Sequence, residues 1–124
     1  MSYAERHTVS LTTAAGGGVT AFTDDPVTGR VISCIYTKTD FDAGVVFLIT
    51  GEVTGQIIWT ETAVDASETL NPRQPTQDNA GAESLYAAAG LAVEDYIVVA
   101  NERIKVVISA GGNVKTGSIT FIIG

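Results

Sequence analysis

Short stretches rich in Val, Ile, Thr and aromatic residues recur along the chain, and each ends at a cluster of Gly, Pro, Asp or Asn. This succession of strand and turn signals is typical of an all-β sandwich or barrel. The predicted strands cover residues 5–13, 19–23, 30–39, 45–50, 56–62, 95–100, 103–109 and 118–123. We therefore predict an all-β fold, an antiparallel β-sandwich (jelly-roll-like) of about eight strands with one short helix.

Turns between successive strands predict how the strands pair. The glycine-rich turn at 14–18 is expected to return residues 19–23 antiparallel to the first strand, and the turn at 110–117 to close a hairpin onto residues 118–123. The stretch "SITFIIG" runs to the last residue without a polar tail. We expect this strand to be paired along its edge or to lie in a contact.

Length and charge limit the classes of function. A chain of 124 residues fits one domain, residues 1–124. The net charge is −7 and the seven basic residues are scattered, so we expect no nucleic-acid partner. No apolar run approaches the ~20 residues of a membrane span, and the first residues lack the apolar core of a secretory signal. We therefore expect no membrane contact and synthesis in a cytoplasm.

Two strands are apolar on both faces. In "VVFLI" (45–49) and "YIVV" (96–99), apolar residues occupy odd and even positions alike. In a strand with one solvent-exposed face, apolar and polar residues should alternate. These strands are either central and covered on both sides, or they contact another subunit through their outer faces. A chain this small has little material to cover both faces, which favours association.

The longest segment without strand periodicity runs over about 63–90, where we predict an extended loop and a short helix. Pro72 and Pro75 stiffen this loop and remove backbone donors, so it should not easily join its own sheet. Arg73 lies between them and either pairs with a partner carboxylate or is simply a solvated loop arginine. The alanine-rich part at 78–90 predicts the helix, with Leu85 on its apolar stripe and Tyr86 off this stripe and facing a partner.

Few side chains of this sequence point to catalysis or metal binding. His7 shares a strand face with apolar residues, and Cys34 lies among apolar neighbours, so both are expected to have structural roles. Asp40 and Asp42 flank a turn and leave a Ca²⁺ site open, although no complete calcium loop is present. We predict no enzyme, no catalytic residue, no cofactor and no metal; a glycosidase-type carboxylate pair is not excluded by sequence alone.

Several stretches carry a resemblance to a known family. "YAERHTVSLTT", "NPRQPTQDNAGAESLYAAAG" and "ANERIKVVISAGGNVKTGSITF" resemble small structural proteins of tailed phages and prophages, and the similarity extends over nearly the whole chain. The resemblance implies a β-sandwich, assembly as a homo-oligomer such as a trimer, and attachment to the major capsid protein on the virion surface. It implies no catalytic residues.

The expected function is that of a capsid decoration, cement or minor capsid protein. A tail or head–tail connector component is the alternative within the virion. A carbohydrate-binding module, which would use exposed aromatics such as Tyr3, Trp59 or Tyr86, is the alternative of another class. The contact residues predicted from the loop and the glycine turns are Pro72, Arg73, Gln74, Pro75, Tyr86, Gly17, Gly112 and Asn113.

Overall fold

A computed structural model describes residues 4–124 and contains ten β-strands. The prediction of an all-β fold is confirmed, and each of the eight predicted strands corresponds to a strand in the structure. The strands are β1 (Glu5–Thr12), β2 (Val19–Phe22), β3 (Val27–Lys38), β4 (Val46–Gly51), β5 (Ile57–Glu61), β6 (Glu68–Leu70), β7 (Arg73–Pro75), β8 (Glu94–Glu102), β9 (Ile104–Ser109) and β10 (Thr116–Ile123). The two additional strands, β6 and β7, lie inside the segment that was predicted to be a loop.

The strands form two sheets in which all pairs are antiparallel. The six-stranded sheet, sheet A, has the order β1-β10-β3-β8-β7, and β6 pairs with β3 beside this path. The four-stranded sheet, sheet B, has the order β2-β9-β4-β5. The terminal strand β10 lies between β1 and β3, so the prediction that its edges are paired is confirmed.

Two predicted hairpins are wrong. β2 pairs with β9 and does not return along β1, and β9 and β10 belong to different sheets. The two turns at these places carry the chain from one sheet to the other. Strand alternation tells which face of a strand is buried but does not tell which strand is its neighbour.

The two sheets enclose a common apolar core. Tyr36 on sheet A packs edge-to-face against Phe47 on sheet B, with ring centroids 4.7 Å apart, and Phe47 packs in the same way against Trp59 at 5.1 Å. Such aromatic pairs contribute beyond the area they bury. Cys34 is fully buried in this core, which raises the pKa of its thiol to about 12 and supports the structural role predicted for it.

A buried carboxylate fixes the turn between β4 and β5. Glu102 accepts hydrogen bonds from the backbone N–H groups of Val53 at 2.8 Å and Thr54 at 3.0 Å, and from the Thr54 hydroxyl at 3.0 Å. The hydrogen bond from the Thr54 backbone is the main reason that the pKa of Glu102 lies below its ordinary value. This turn therefore sets where β5 begins, and β5 forms one wall of the cleft described below.

Candidate functional site

The segment with the two prolines joins its own sheet. β7 pairs antiparallel with β8, with Arg73 opposite Tyr96 and Pro75 opposite Glu94. The expectation that prolines would keep this segment off the sheet is wrong, because β7 is an edge strand and an edge strand tolerates a residue without an N–H donor. Pro72 is buried, whereas Gln74 and Pro75 are exposed.

Arg73 is held by its own chain and does not project away from it. Its guanidinium donates to the carbonyl oxygen of Pro72 at 2.7 Å, and it lies 4.0 Å from the ring centroid of Tyr96. Arg30 approaches the same ring at 4.9 Å. Cation–π contacts of this kind stabilise β7 against β8.

The residues after β7 fold into a small loop of turns, and the predicted helix at 78–90 is absent from the structure. Asp78 Oδ1 accepts the backbone N–H groups of Ala80 at 2.9 Å and Ala82 at 3.0 Å, which makes a tight turn in place of a helix cap. Gly81 has a φ of +86°, which right-handed helical residues do not adopt. Helix propensity is a weak preference that these local contacts override.

A short hairpin forms the outer end of this loop. The Tyr86 N–H donates to the Leu91 carbonyl at 3.0 Å, and the Gly90 N–H donates to the Ala87 carbonyl at 2.8 Å. We call residues 85–91 the hairpin tip. They include no charged side chain.

The hairpin tip exposes large apolar side chains. Tyr86 is 75% exposed, Leu91 is 81% exposed and Leu85 is 41% exposed. The prediction that Tyr86 faces outward agrees with this geometry, but Leu85 was expected on the buried stripe of a helix. Exposed apolar groups concentrated in one projecting turn indicate a contact surface.

An open cleft lies between the edges of the two sheets, close to the base of the hairpin. It has a volume of about 500 Å³ and is lined by residues 57–61 of β5, by residues 70–75, and by Glu94 and Ile97 of β8. We call this the edge cleft. It was not predicted, because it depends on β5 and β7 facing each other across two different sheets.

Two glutamates face each other near the edge cleft. Trp59 Nε1 donates to Glu61 Oε1 at 3.2 Å, and one oxygen of Glu68 is buried without a hydrogen-bond partner among residues 4–124. Burial raises the pKa of the Glu68 carboxyl above its ordinary value, and the neighbouring Glu61 adds to the increase. Glu61 lies in a predicted strand and Glu68 in a segment without periodicity, so no sequence pattern indicated that they would meet.

The outer faces of the central strands carry apolar groups that the chain does not cover. Leu48 on β4 is 38% exposed, and Val98 on β8 is exposed as well. Both strands have neighbours on both sides within their sheets. Of the two explanations predicted for the two-faced apolar runs, the central position of both strands is confirmed, and the chain itself covers their outer faces only in part. Contact with another subunit remains a prediction.

The predicted glycine turns meet at one end of the molecule. The Gly111 N–H donates to the Gly17 carbonyl at 2.9 Å, and Thr13 Oγ1 donates to the Gly112 carbonyl at 2.6 Å. Gly17 is buried and Asn113 is exposed, so Asn113 is the more accessible of these predicted contact residues. Whether they contact a partner stays a prediction.

Other predicted site residues have roles within the chain. Asp40 Oδ1 accepts the backbone N–H of Thr116 at 2.6 Å, and His7 Nε2 lies 3.1 Å from Glu5 Oε2. Among residues 4–124, no three side chains of the metal-binding types converge on one point. That part of the chain also has no helix of the length and hydropathy that a membrane span requires.

Comparison with known proteins gives no family. No family model matches the chain, and no curated protein matches it. Two solved structures are similar over nearly the whole chain. The crystal structure of FLHE has a TM-score of 0.46 and 12% identity over 98% of both chains. A chain from Bacillus endospore appendages, a novel family of disulfide-linked pili, has a TM-score of 0.36 and 16% identity over 98% of this chain and 88% of that one. Both TM-scores are below 0.5, and we base no functional inference on them.

Proposed function

We propose that the protein is a structural protein of a phage or prophage particle, of the decoration, cement or minor capsid type. In this role it binds the assembled head through the major capsid protein and associates with its own copies, as a trimer or another homo-oligomer. We also infer that the two sheets form a jelly-roll-like sandwich, because six connections pass from one sheet to the other: β1–β2, β2–β3, β3–β4, β5–β6, β8–β9 and β9–β10.

The observation that carries this proposal is the apolar surface left on a very acidic chain. The hairpin tip and the outer faces of central strands expose Leu85, Tyr86, Leu91, Leu48 and Val98. A monomer with no partner has little reason to display so many large apolar groups on ordered backbone. The resemblance to phage structural proteins favours a virion surface, reached after synthesis in the host cytoplasm, as the place where they are covered.

A decoration protein stabilises the particle by mass action. Because it binds the assembled lattice and not the free subunit, its binding shifts the equilibrium toward the intact shell. An oligomer that presents several weak contacts at once gains avidity from their effective concentration. No proton transfer or bond cleavage is needed for this role, and we propose no catalytic residue, cofactor or metal.

The aromatic side chains do not favour the carbohydrate-binding alternative. Trp59 is only 3% exposed, and Tyr96 is covered by two arginines. Tyr86 is then the aromatic side chain within residues 4–124 that remains free to stack on a sugar, while Tyr3 lies outside the described residues. A sugar site built on a single projecting tyrosine would have little to orient its ligand.

The proposal is tested with purified protein and heads of the phage or prophage that encodes it. The protein is mixed with assembled heads, and in parallel with unassembled major capsid subunit, and bound protein is measured after sedimentation. We expect saturable binding to heads, at a fixed ratio to the major subunit, and no binding to the free subunit. Binding to purified tails or connectors would favour those alternatives, and binding to no part of the virion would reject the proposal.

A further inference from the structure

We propose that Arg30 and Arg73, held together on the ring of Tyr96, form a binding site for a carboxylate of a partner protein. The occupant is an aspartate or glutamate side chain on an acidic segment of that partner. We call these three residues the arginine site. This inference deepens the proposed function by naming the chemistry of the bound surface, and it rests on that function only for the identity of the partner.

Sheet A brings the three side chains of the arginine site together. Tyr96 and Val98 lie on either side of the buried Ile97 along β8, so both are on the outer face of the sheet. Arg73 is opposite Tyr96, and Arg30 is opposite Val98. Because paired residues of neighbouring strands share a face, both guanidinium groups reach one ring, Arg73 at 4.0 Å and Arg30 at 4.9 Å from its centroid.

Both guanidinium groups are positioned by backbone oxygens and keep donors that the chain does not use. Arg30 Nε donates to the Gly124 oxygen at 3.2 Å, and Arg73 Nη1 donates to the Pro72 carbonyl oxygen at 2.7 Å. A guanidinium has more N–H donors than these contacts use, and among residues 4–124 neither Nη2 makes a hydrogen bond. Side chains that are already held in place lose less conformational entropy on binding.

Among residues 4–124, no aspartate or glutamate forms an ion pair with either arginine. Glu61 and Glu94 line the edge cleft together with Arg73, and Asp95 Oδ1 accepts the Tyr96 backbone N–H at 2.7 Å. The ion pairs in this part of the chain are instead His7–Glu5, Lys38–Asp65 and Arg103–Glu52. Two positive charges held at one ring repel each other, and an anion bound between them would remove that repulsion.

The surroundings of Arg103 show the completed form of such a site within the same chain. Its guanidinium lies 4.3 Å from the ring centroid of Phe22 and donates to Glu52 twice, from Nε at 2.8 Å and from Nη2 at 2.6 Å. This two-bond geometry is the one that arginine favours for a carboxylate. Arg30 and Arg73 have the aromatic platform but lack the carboxylate, which the partner supplies.

The surface around the arginine site favours an acidic protein segment as the occupant. The strands β3 and β10 contain no acidic residue, and their outward positions carry hydroxyl and apolar side chains such as Thr37, Thr120 and Ile122. An acidic segment can therefore approach from this side of the sheet, away from Glu94 and Asp95. A nucleic acid would be repelled by the net charge of −7 over the rest of the chain.

Nuclear magnetic resonance of the arginine side chains tests the site directly. The Nε–H signals of the four arginines, which also include Arg6 and Arg103, are followed while hexaglutamate peptide is added. We expect shifts at Arg30 and Arg73, with a dissociation constant on the order of 1 mM, because exposed ion pairs are weak. Hexaglutamine should cause none. The absence of shifts at Arg30 and Arg73, or equal shifts at Arg6, would overturn the proposal.

Inorganic phosphate tests the class of anion in the same way. The site as proposed binds hexaglutamate more tightly than phosphate, since one short acidic segment brings several carboxylates to it at once. Tighter binding of phosphate would overturn the assignment to a carboxylate.

Lysine variants separate the shape of the guanidinium from its charge. Arg30→Lys and Arg73→Lys keep the charge but lose the planar fork, and each should weaken hexaglutamate binding about threefold or more. Arg103→Lys is the matched control, and its affinity should stay within about twofold. Circular dichroism verifies folding, and the exposed Arg30 keeps the test valid if Arg73→Lys loosens β7. Undiminished binding by Arg30→Lys would contradict the proposed geometry.

The sedimentation assay with phage heads separates this site from the proposed function. If hexaglutamate binds the arginine site but the protein binds no part of the virion, the proposed function fails and the site stands. If the protein binds heads but the peptide shifts neither arginine signal, the site fails and the function stands. If both bind, Arg30→Lys should weaken binding to heads about threefold or more, and unchanged binding would overturn the assignment of this site to the capsid contact.

Discussion

Replacing Phe47 by alanine tests the central assignment of the fold, the division of β4 into an inner and an outer face. Phe47 is fully buried and touches two aromatic rings, one from each sheet, with centroids 4.7 Å and 5.1 Å away. A buried Phe→Ala change costs about 3–5 kcal/mol, because it removes apolar contacts and leaves a cavity. A domain has about 5–15 kcal/mol in total, so this variant should be close to unfolding.

The neighbouring residue is the control. Leu48 points to the opposite face and is 38% exposed. Leu48→Ala removes three carbon atoms worth about 0.8 kcal/mol each when fully buried, so partial burial gives about 1.5 kcal/mol. For a chain of this size, the Phe47 change should lower the melting temperature by about 10–20 °C, and the Leu48 change by about 5 °C.

Urea unfolding is followed by the fluorescence of Trp59, the one tryptophan of the chain, at a concentration where self-association is absent. We expect Phe47→Ala to reduce the free energy of unfolding at least twice as much as Leu48→Ala. Equal losses, or a larger loss for Leu48→Ala, would refute the assigned register, because a shift of one residue exchanges the two faces of a strand.

Three further results are expected. Glu68→Gln should flatten the dependence of the free energy of unfolding on pH. Because the pKa of Glu68 is raised in the folded protein, its stabilising contribution is complete below pH ~4.3, the ordinary glutamate value, and is lost as the pH rises through the raised pKa. In urea titrations from pH 4 to 8, a slope as steep as that of the unaltered protein would contradict this. Cys34, with a pKa raised to about 12, should not react with a thiol reagent at pH 8 until denaturant is added, and labelling of the folded protein would contradict its burial. Gly117→Ala should lower stability by about 1–3 kcal/mol, because a Cβ there would lie 2.7 Å from the Phe41 ring, whereas Gly44→Ala, with no atom within 4 Å, should be close to neutral by thermal unfolding.

Much of the fold was predictable from alternation, since a period of two is a local property of each strand. His7, Val9 and Leu11 point inward on β1, as their spacing predicts, and the terminal strand is paired on both edges as expected. The partner of each strand was not predictable. A short turn usually makes a hairpin, but here the turns at 14–18 and 110–115 cross between sheets.

The candidate site was predictable only in part. Tyr86 was predicted to face a partner because its spacing left it outside an apolar stripe, and its exposure agrees. The exposure of Leu91 could not be predicted, because Leu91 is exposed by a hairpin, whereas the alanine-rich composition of this stretch predicts a helix. β6 and β7 have three residues each, too few to display a period.

The segment at 63–93 forms both a wall of the edge cleft and the hairpin tip, and Arg73 affects both parts. Its first half supplies β6 and β7, whose edges make one wall of the cleft, and its second half presents the hairpin tip. Arg73 holds β7 against Tyr96. Removing its guanidinium should therefore loosen the cleft wall and the base of the hairpin together. Arg73 also lines the cleft itself, so it both positions β7 and contributes a guanidinium to the cleft surface.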